Sequence, residues 1–273
     1  MSSHTGIPTR VIDSLGETFA SLKEFCAYLT EEQWHAPTQL PGWNVKDNLS
    51  HIVGTERIHL GLPETEHKAS DLSRAHNPIG EMNEHHVDLR RPISGAAVFE
   101  EFTDIAAQRM KQLRSADAEY FSQPADTPTG PGTISDFLNI RLLDIWAHEQ
   151  DMRRALNMPG HQGGPSAEHT IDRLCRTIPM VVAKRAATPE GQTVVIEITG
   201  AVQRTIATTI TDGKGVMSSA APASARATIT MDSDVFMQLA NGRATYAELA
   251  DDITIAGDIE LGTKVVTQFV MMI

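Results

Sequence analysis

His51, Asp144 and His148 are the residues whose types and spacing best suit chemistry. Asp144 and His148 stand four apart in Asp144-Ile145-Trp146-Ala147-His148, so on a helix their side chains leave one face a turn apart. His51 closes a run that begins Gly42-Trp43-Asn44, about ninety residues earlier in the chain. Two imidazoles and one carboxylate are the usual protein ligands of a catalytic zinc-type site, with a fourth position left open. An ion held this way keeps a positive charge and stabilises an anion at the open position: hydroxide, a thiolate or an enolate. If the three residues converge, the chain is a metalloenzyme. If they do not, it is an acidic globular protein with scattered histidines.

Convergence requires helices. Val11, Leu15, Phe19, Leu22, Cys26 and Leu29 recur at steps of three and four and predict a first helix over 9–29. Thr30-Glu31-Glu32-Gln33 matches a capping box and predicts a short turn before Trp34. Pro37 and Pro41-Gly42 break the chain. Asn44 then caps a second helix, with Asp47 in its first turn and a stripe of Val45, Leu49, Ile52 and Val53. His51 falls roughly opposite Leu49, on the face of Asp47, Gly54 and Thr55. A third helix is expected over 95–117 and a fourth over 134–156, striped by Leu138, Leu142, Ile145, Met152 and Leu156. Asp144, His148 and Asp151 share one face at the edge of that stripe. All three candidate ligands thus lie off the centres of their stripes, which points to a cleft rather than a buried site. Residues 61–94 and 123–133 read as loops.

Four helices with one long central connection suggest a bundle over residues 1–157. Asn157 to Pro165 reads as a linker. From residue 164 to 273 the pattern becomes α+β. A helix over 167–184 precedes strands at 193–199, 203–211, 225–231 and 253–255. A short helix over 232–239 lies between the last two, and a terminal amphipathic helix runs through Leu261, Val265 and Phe269.

The 273 residues are 41% hydrophobic and 21% charged, which suits a folded chain rather than a disordered one. The net charge of -12 repels phosphate backbones, so nucleic acid is not an expected partner. No apolar run is long enough to span a membrane, and Met1–Arg10 lacks the apolar core of a secretory signal. Cys26 and Cys175 are far apart and outside any motif. They read as free buried thiols and fit a cytoplasmic location. Gly-x-Ser-x-Gly, Gly-rich phosphate-loop and HExxH patterns are lacking.

The segment from Trp34 to Ile52, the helix from Arg141 to Asp151, and the tail residues Phe236, Leu239, Gly242-Arg243 and Ile255-Ala256-Gly257-Asp258 resemble the mycothiol-dependent maleylpyruvate isomerase family. The resemblance covers nearly the whole chain. It implies a DinB-like metal-binding four-helix bundle followed by a small sterol-carrier-like α+β domain. It also places the family's metal ligands on His51, Asp144 and His148. The family usually carries Glu at the acidic position, and Asp144 has less reach. The cofactors implied are a divalent metal such as zinc, and mycothiol. A thiol with a pKa near 8.5 is mostly protonated at neutral pH, and coordination deprotonates it. The thiolate would add to a small electrophilic substrate. Loss of the thiol after bond rotation is isomerisation, and retention is S-transfer.

Arg141, one turn before Asp144, is a candidate catalytic residue for acidic groups of thiol or substrate; its simpler reading is a surface salt bridge. Arg243, in the Gly-Arg element, is a second candidate. Asp151 could orient His148 or face solvent. Glu84-His85-His86 and His59 are weaker metal candidates, and Trp43 and Trp146 could wall a pocket or simply pack. Two alternatives remain: a thiol-independent metal hydrolase, and a non-catalytic small-molecule binding protein built on the sterol-carrier-like half.

Overall fold

The computed structural model describes residues 6–63, 66–219 and 224–271, so residues 1–5 of the polar N-terminal stretch lie outside the described residues. The chain separates into two compact units, Met1–His161 and Gln162–Ile273. Among the described residues, no helix is long and apolar enough to cross a membrane.

The first unit is built on four long helices: α1 (Thr9–Cys26), α3 (Val45–His59), α5 (Gly95–Ser115) and α7 (Ile134–Ala155). Shorter helices α2 (Glu31–Trp34), α4 (Pro78–Arg90) and α6 (Ala118–Ser122) lie in the connections. Helix α1 packs on α5 and α7, and α3 packs on the same two, closing a ring. Leu15, Phe19, Leu49, Ile52, Phe102 and Leu142 meet in its core. Both helices that carry the candidate ligands start at reciprocal caps. Asn44 Oδ1 accepts from the Asp47 amide at 2.8 Å while Asp47 Oδ2 accepts from the Asn44 amide at 3.2 Å. Thr133 and Asp136 do the same at the start of α7. Each box satisfies two amides that the helix itself cannot.

Two expectations fail here. Residues 61–94 contain α4, started by the Asn77 side chain with Pro78 in the first turn. This helix is polar on most sides, so periodicity does not reveal it. Residues 123–133 form a hairpin, β1 (Pro124–Thr127) with β2 (Gly130–Thr133). Its eight residues show no apolar alternation; backbone pairing sets the register, and the Thr127 hydroxyl braces the turn by donating to the Gly130 carbonyl at 2.6 Å.

The second unit is a five-stranded sheet of order β5-β4-β3-β6-β7. Its strands are β3 (Thr193–Thr199), β4 (Arg204–Thr211), β5 (Lys214–Ser218), β6 (Ala227–Asp232) and β7 (Ile253–Gly257). Strands β3 and β6 are parallel, and the other neighbours are antiparallel. Helices α10 (Ser233–Ala240) and α11 (Ile259–Val266) pack on the sheet, and α8 (Pro165–Cys175) packs on α10. The single helix expected over 167–184 is broken. After α8 come a short α9 (Ile178–Met180) and a π turn (Val181–Arg185), because Pro179 lacks the amide that a continuous helix needs. Edge strand β5, mostly exposed, also escapes the sequence pattern.

Candidate metal centre

Helix α3 delivers His51 and α7 delivers Asp144 and His148, and the two helices are neighbours in the ring. One potential ligand atom from each residue lies within 4.8 Å of the others. His51 Nε2 is 3.1 Å from Asp144 Oδ2, and His148 Nε2 is 3.5 Å from Asp144 Oδ1. The imidazole centroids are 4.7 Å apart. His51 and His148 are buried, and the Asp144 side chain keeps 24% exposure. The cleft reading is therefore corrected for the two histidines. Helix α3 has neighbours on every side (α4, α5 and α7), so Val45 through Glu56 are all buried and no face of that stretch is a solvent face.

His148 is oriented by Asn48. The Asn48 amide nitrogen donates to the Asn44 carbonyl at 2.9 Å, an oxygen that can only accept. Its amide oxygen therefore faces His148 Nδ1, at 2.8 Å. Nδ1 must carry a proton there, which leaves Nε2, the nitrogen that faces Asp144, as the one available to an ion or to a second proton. His51 has no such partner: its buried Nδ1 makes no hydrogen bond among the described residues. Instead, the Trp43 indole packs against both imidazoles, with centroids 5.4 Å from His51 and 5.9 Å from His148.

Behind Asp144 runs a buried ladder of charge. Arg141 Nη1 pairs with Asp144 Oδ2. Arg141 Nε donates to Glu56 Oε1 at 3.0 Å, and Arg109 Nε donates to Glu56 Oε2 at 3.0 Å. The side chains of Arg109, Glu56 and Arg141 are 2%, 2% and 4% exposed, so Arg141 belongs to the interior and not to a surface salt bridge. Its Nη2 is buried without a hydrogen-bond partner among the described residues. Burial would raise the Asp144 pKa, but Arg141, His148 and His51 hold it well below the usual carboxylate range. Burial pushes His51 down to about 4 against the pull of Asp144. For His148 burial is outweighed by Asp144 and Asp151, and its pKa is raised. An ionised carboxylate beside a neutral His51 is the donor chemistry a divalent ion requires.

The remaining candidates separate clearly. Asp151 is buried, not solvated; its Oδ2 lies 3.6 Å from His148 Nδ1 and its Oδ1 pairs with Arg154 at 2.7 Å. His59 packs against Phe137 with centroids 4.4 Å apart. His85 accepts from the Ala69 amide and His86 fits against Gly54, while Glu84 accepts from Trp43 Nε1 at 3.0 Å. Trp146 Nε1 donates to the His161 carbonyl. Arg243 is half-buried in the second unit, where the Gly242 and Arg243 amides bond back to the Leu239 and Gln238 carbonyls. Gly242, with φ +65°, supplies the left-handed residue that this helix stop needs, which gives the Gly-Arg element a local structural reason. Glu56, Arg109 and Asn48 were missed as site residues, and Glu84 was read only with His85-His86 as a weak metal candidate, not as a partner of Trp43. Two carried a signal: Glu56 continues the stripe Leu49, Ile52, Val53, and Arg109 continues Phe102, Ile105, Ala106, so each is a charge at a core-spaced position.

Residues 15–153, just over half of the chain, match the profile of the mycothiol maleylpyruvate isomerase N-terminal domain. Residues 171–269 match the SCP-2 sterol transfer family. Two uncharacterized proteins of Mycobacterium tuberculosis are each 24% identical over 139 residues, covering 50% of this chain and 52% of theirs. The chain thus matches about half the length of these curated relatives. A crystal structure of the mycothiol-dependent maleylpyruvate isomerase aligns over 94% of this chain and 96% of that one, at 14% identity and a TM-score of 0.55. A mutant form of that enzyme aligns over the same shares, also at 14% identity, with a TM-score of 0.52. At this identity the two structures speak for the fold: a helical N-terminal domain and a sterol-carrier-like sheet-and-helix domain. Together with the profile match over the helix bundle, they establish that this chain belongs to the mycothiol maleylpyruvate isomerase family.

Proposed function

We propose that the first unit binds one divalent ion, such as zinc, through His51, Asp144 and His148, and that the protein uses mycothiol to isomerise or conjugate a small electrophile. The observation that carries this reading is the meeting of two imidazoles and a carboxylate within 4.8 Å on α3 and α7. The residues fit the ion. Asn48 turns the His148 Nε2 lone pair inward, His51 is neutral at pH 7, and Asp144 is ionised. When bound, the ion would supply the positive charge that favours a thiolate over a thiol at neutral pH.

The chain's own residues would do the rest. Arg141, fixed at Nη1 and Nε, keeps a third nitrogen unpartnered beside the triad, a donor for a carboxylate or a developing oxyanion. Trp43 covers both imidazoles and excludes water from that side. Arg243 is the second basic group we assign to acidic parts of thiol or substrate, on the Gly-Arg element alone. The test is turnover of small electrophiles, maleylpyruvate first, by metal-loaded protein with and without mycothiol. Turnover only with the thiol is expected. Turnover indifferent to it would replace the reading with a metal hydrolase.

A further inference from the structure

The two histidines of the triad are held in different ways. His148 has the hydrogen-bonded amide of Asn48 behind it. His51 has a buried Nδ1 with no partner among the described residues. Ligating imidazoles are normally oriented by a bond at their second nitrogen, so something else must fix the His51 ring. Two rings lie against it: the His148 imidazole, itself a proposed ligand, with centroids 4.7 Å apart, and Trp43, at 5.4 Å and tilted 37° to His51 and 34° to His148. Trp43 is itself fixed at both ends. Its backbone carbonyl accepts from the Thr38 hydroxyl at 2.9 Å and its amide donates to the Leu40 carbonyl at 3.0 Å. Its indole Nε1 donates to Glu84 Oε2 at 3.0 Å, and Glu84 Oε1 receives Arg91 Nη1 at 2.6 Å. Arg91 also reaches Asp88 at 3.0 Å and Asp47 at 3.7 Å. Glu84 comes from α4, which supplies none of the three ligands.

We propose that Glu84 is a positioning residue of the metal centre: by holding the Trp43 indole against the imidazoles, it fixes the His51 ring in place of the missing Nδ1 hydrogen bond. The inference rests on the metal reading above. Losing such an indirect support weakens metal binding by about 10- to 100-fold.

The test compares zinc dissociation constants, measured by chelator competition, for the full chain and for E84A, E84Q, W43F and E84A/W43F. E84A loses the indole acceptor and should bind at least about tenfold more weakly. E84Q keeps an acceptor oxygen and should bind close to wild type. The phenyl ring introduced by W43F has no N–H to give, so E84A should add nothing in that background. Arg91 keeps Asp88 and Asp47 in E84A, so the fold should survive, and thermal unfolding checks it. A second readout needs no metal. In metal-free protein, the rate at which diethyl pyrocarbonate modifies His51, followed by peptide mass spectrometry, should rise in E84A and not in E84Q. Wild-type protein that binds no zinc would defeat the metal reading, and the modification rates would still decide whether Glu84 holds His51. A folded E84A with wild-type affinity and a wild-type modification rate would overturn the inference itself.

Discussion

Glu56→Gln should be among the most damaging conservative substitutions in this chain. Gln has nearly the same volume, so the change removes charge and one acceptor and little else. Glu56 receives two guanidinium Nε donors at 3.0 Å, one on each oxygen. Gln can receive only one. Its NH2 group would point at the other arginine, donor against donor. Arg141 would keep Asp144, but Arg109 would keep no carboxylate, only Gln112 and, at 3.5 Å, the Tyr120 hydroxyl. Breaking one side of a buried ion pair costs about 3–5 kcal/mol, because the charge left behind stays dry. For a unit of this size that lowers the melting temperature by on the order of 10 °C. The pH dependence has a definite sign. Burial would raise the Glu56 pKa, yet Arg141, Arg109 and His59 hold it below the usual value. A depressed carboxylate stabilises the fold above its unfolded pKa of about 4.3, and that contribution disappears as pH falls through the folded value. The gap between wild type and E56Q should therefore be full at pH 7 and close in acid. E56Q/R109M removes the stranded charge together with its partner and should recover most of the loss. Urea unfolding at pH 7 measures all three proteins. An E56Q stability within about 1 kcal/mol of wild type would mean that water reaches these groups, and the dry ladder would be refuted.

Asn48→Ala removes the acceptor that sets the His148 tautomer and should weaken zinc binding by about 10- to 100-fold in chelator competition; an unchanged affinity would show that Asn48 does not orient the ring. Because the His148 pKa is raised in the metal-free protein, a proton competes with the ion at Nε2. Zinc affinity should be constant at alkaline pH and fall by about tenfold per pH unit once pH drops below that raised value. A flat titration across neutral pH would contradict the assignment of Nε2 as ligand.

Much of the site was legible because helix starts and helix spacing are local properties. The Asn44–Asp47 box fixes where α3 begins, and hence which way His51 points. The four-residue step from Asp144 to His148 sets both on one face whatever surrounds them. Burial was not legible from the same pattern. Periodicity assumes that a helix has one covered face, whereas α3 is covered on all sides, so polar residues such as His51, Asp47 and Thr55 are buried beside Leu49. The charges on the core stripes, Glu56 and Arg109, give this away, since a stripe interrupted by opposite charges on two neighbouring helices implies that they pair inside. Helix α4 and the hairpin β1–β2 carry little apolar pattern, because the helix is largely polar and the hairpin is held by backbone pairing and the Thr127 hydroxyl. Trp43 was visible as a candidate wall, and Glu84 only as part of the Glu84-His85-His86 candidate; its anchoring of Trp43 was hidden because it lies on a helix that periodicity does not reveal.

The metal content of the purified protein tests the central claim most directly. Protein prepared without chelator and analysed for elements should carry about one equivalent of a divalent metal per chain. His51→Ala and His148→Ala should each reduce that to near zero while remaining folded. Metal retained at wild-type stoichiometry in either variant would contradict the triad.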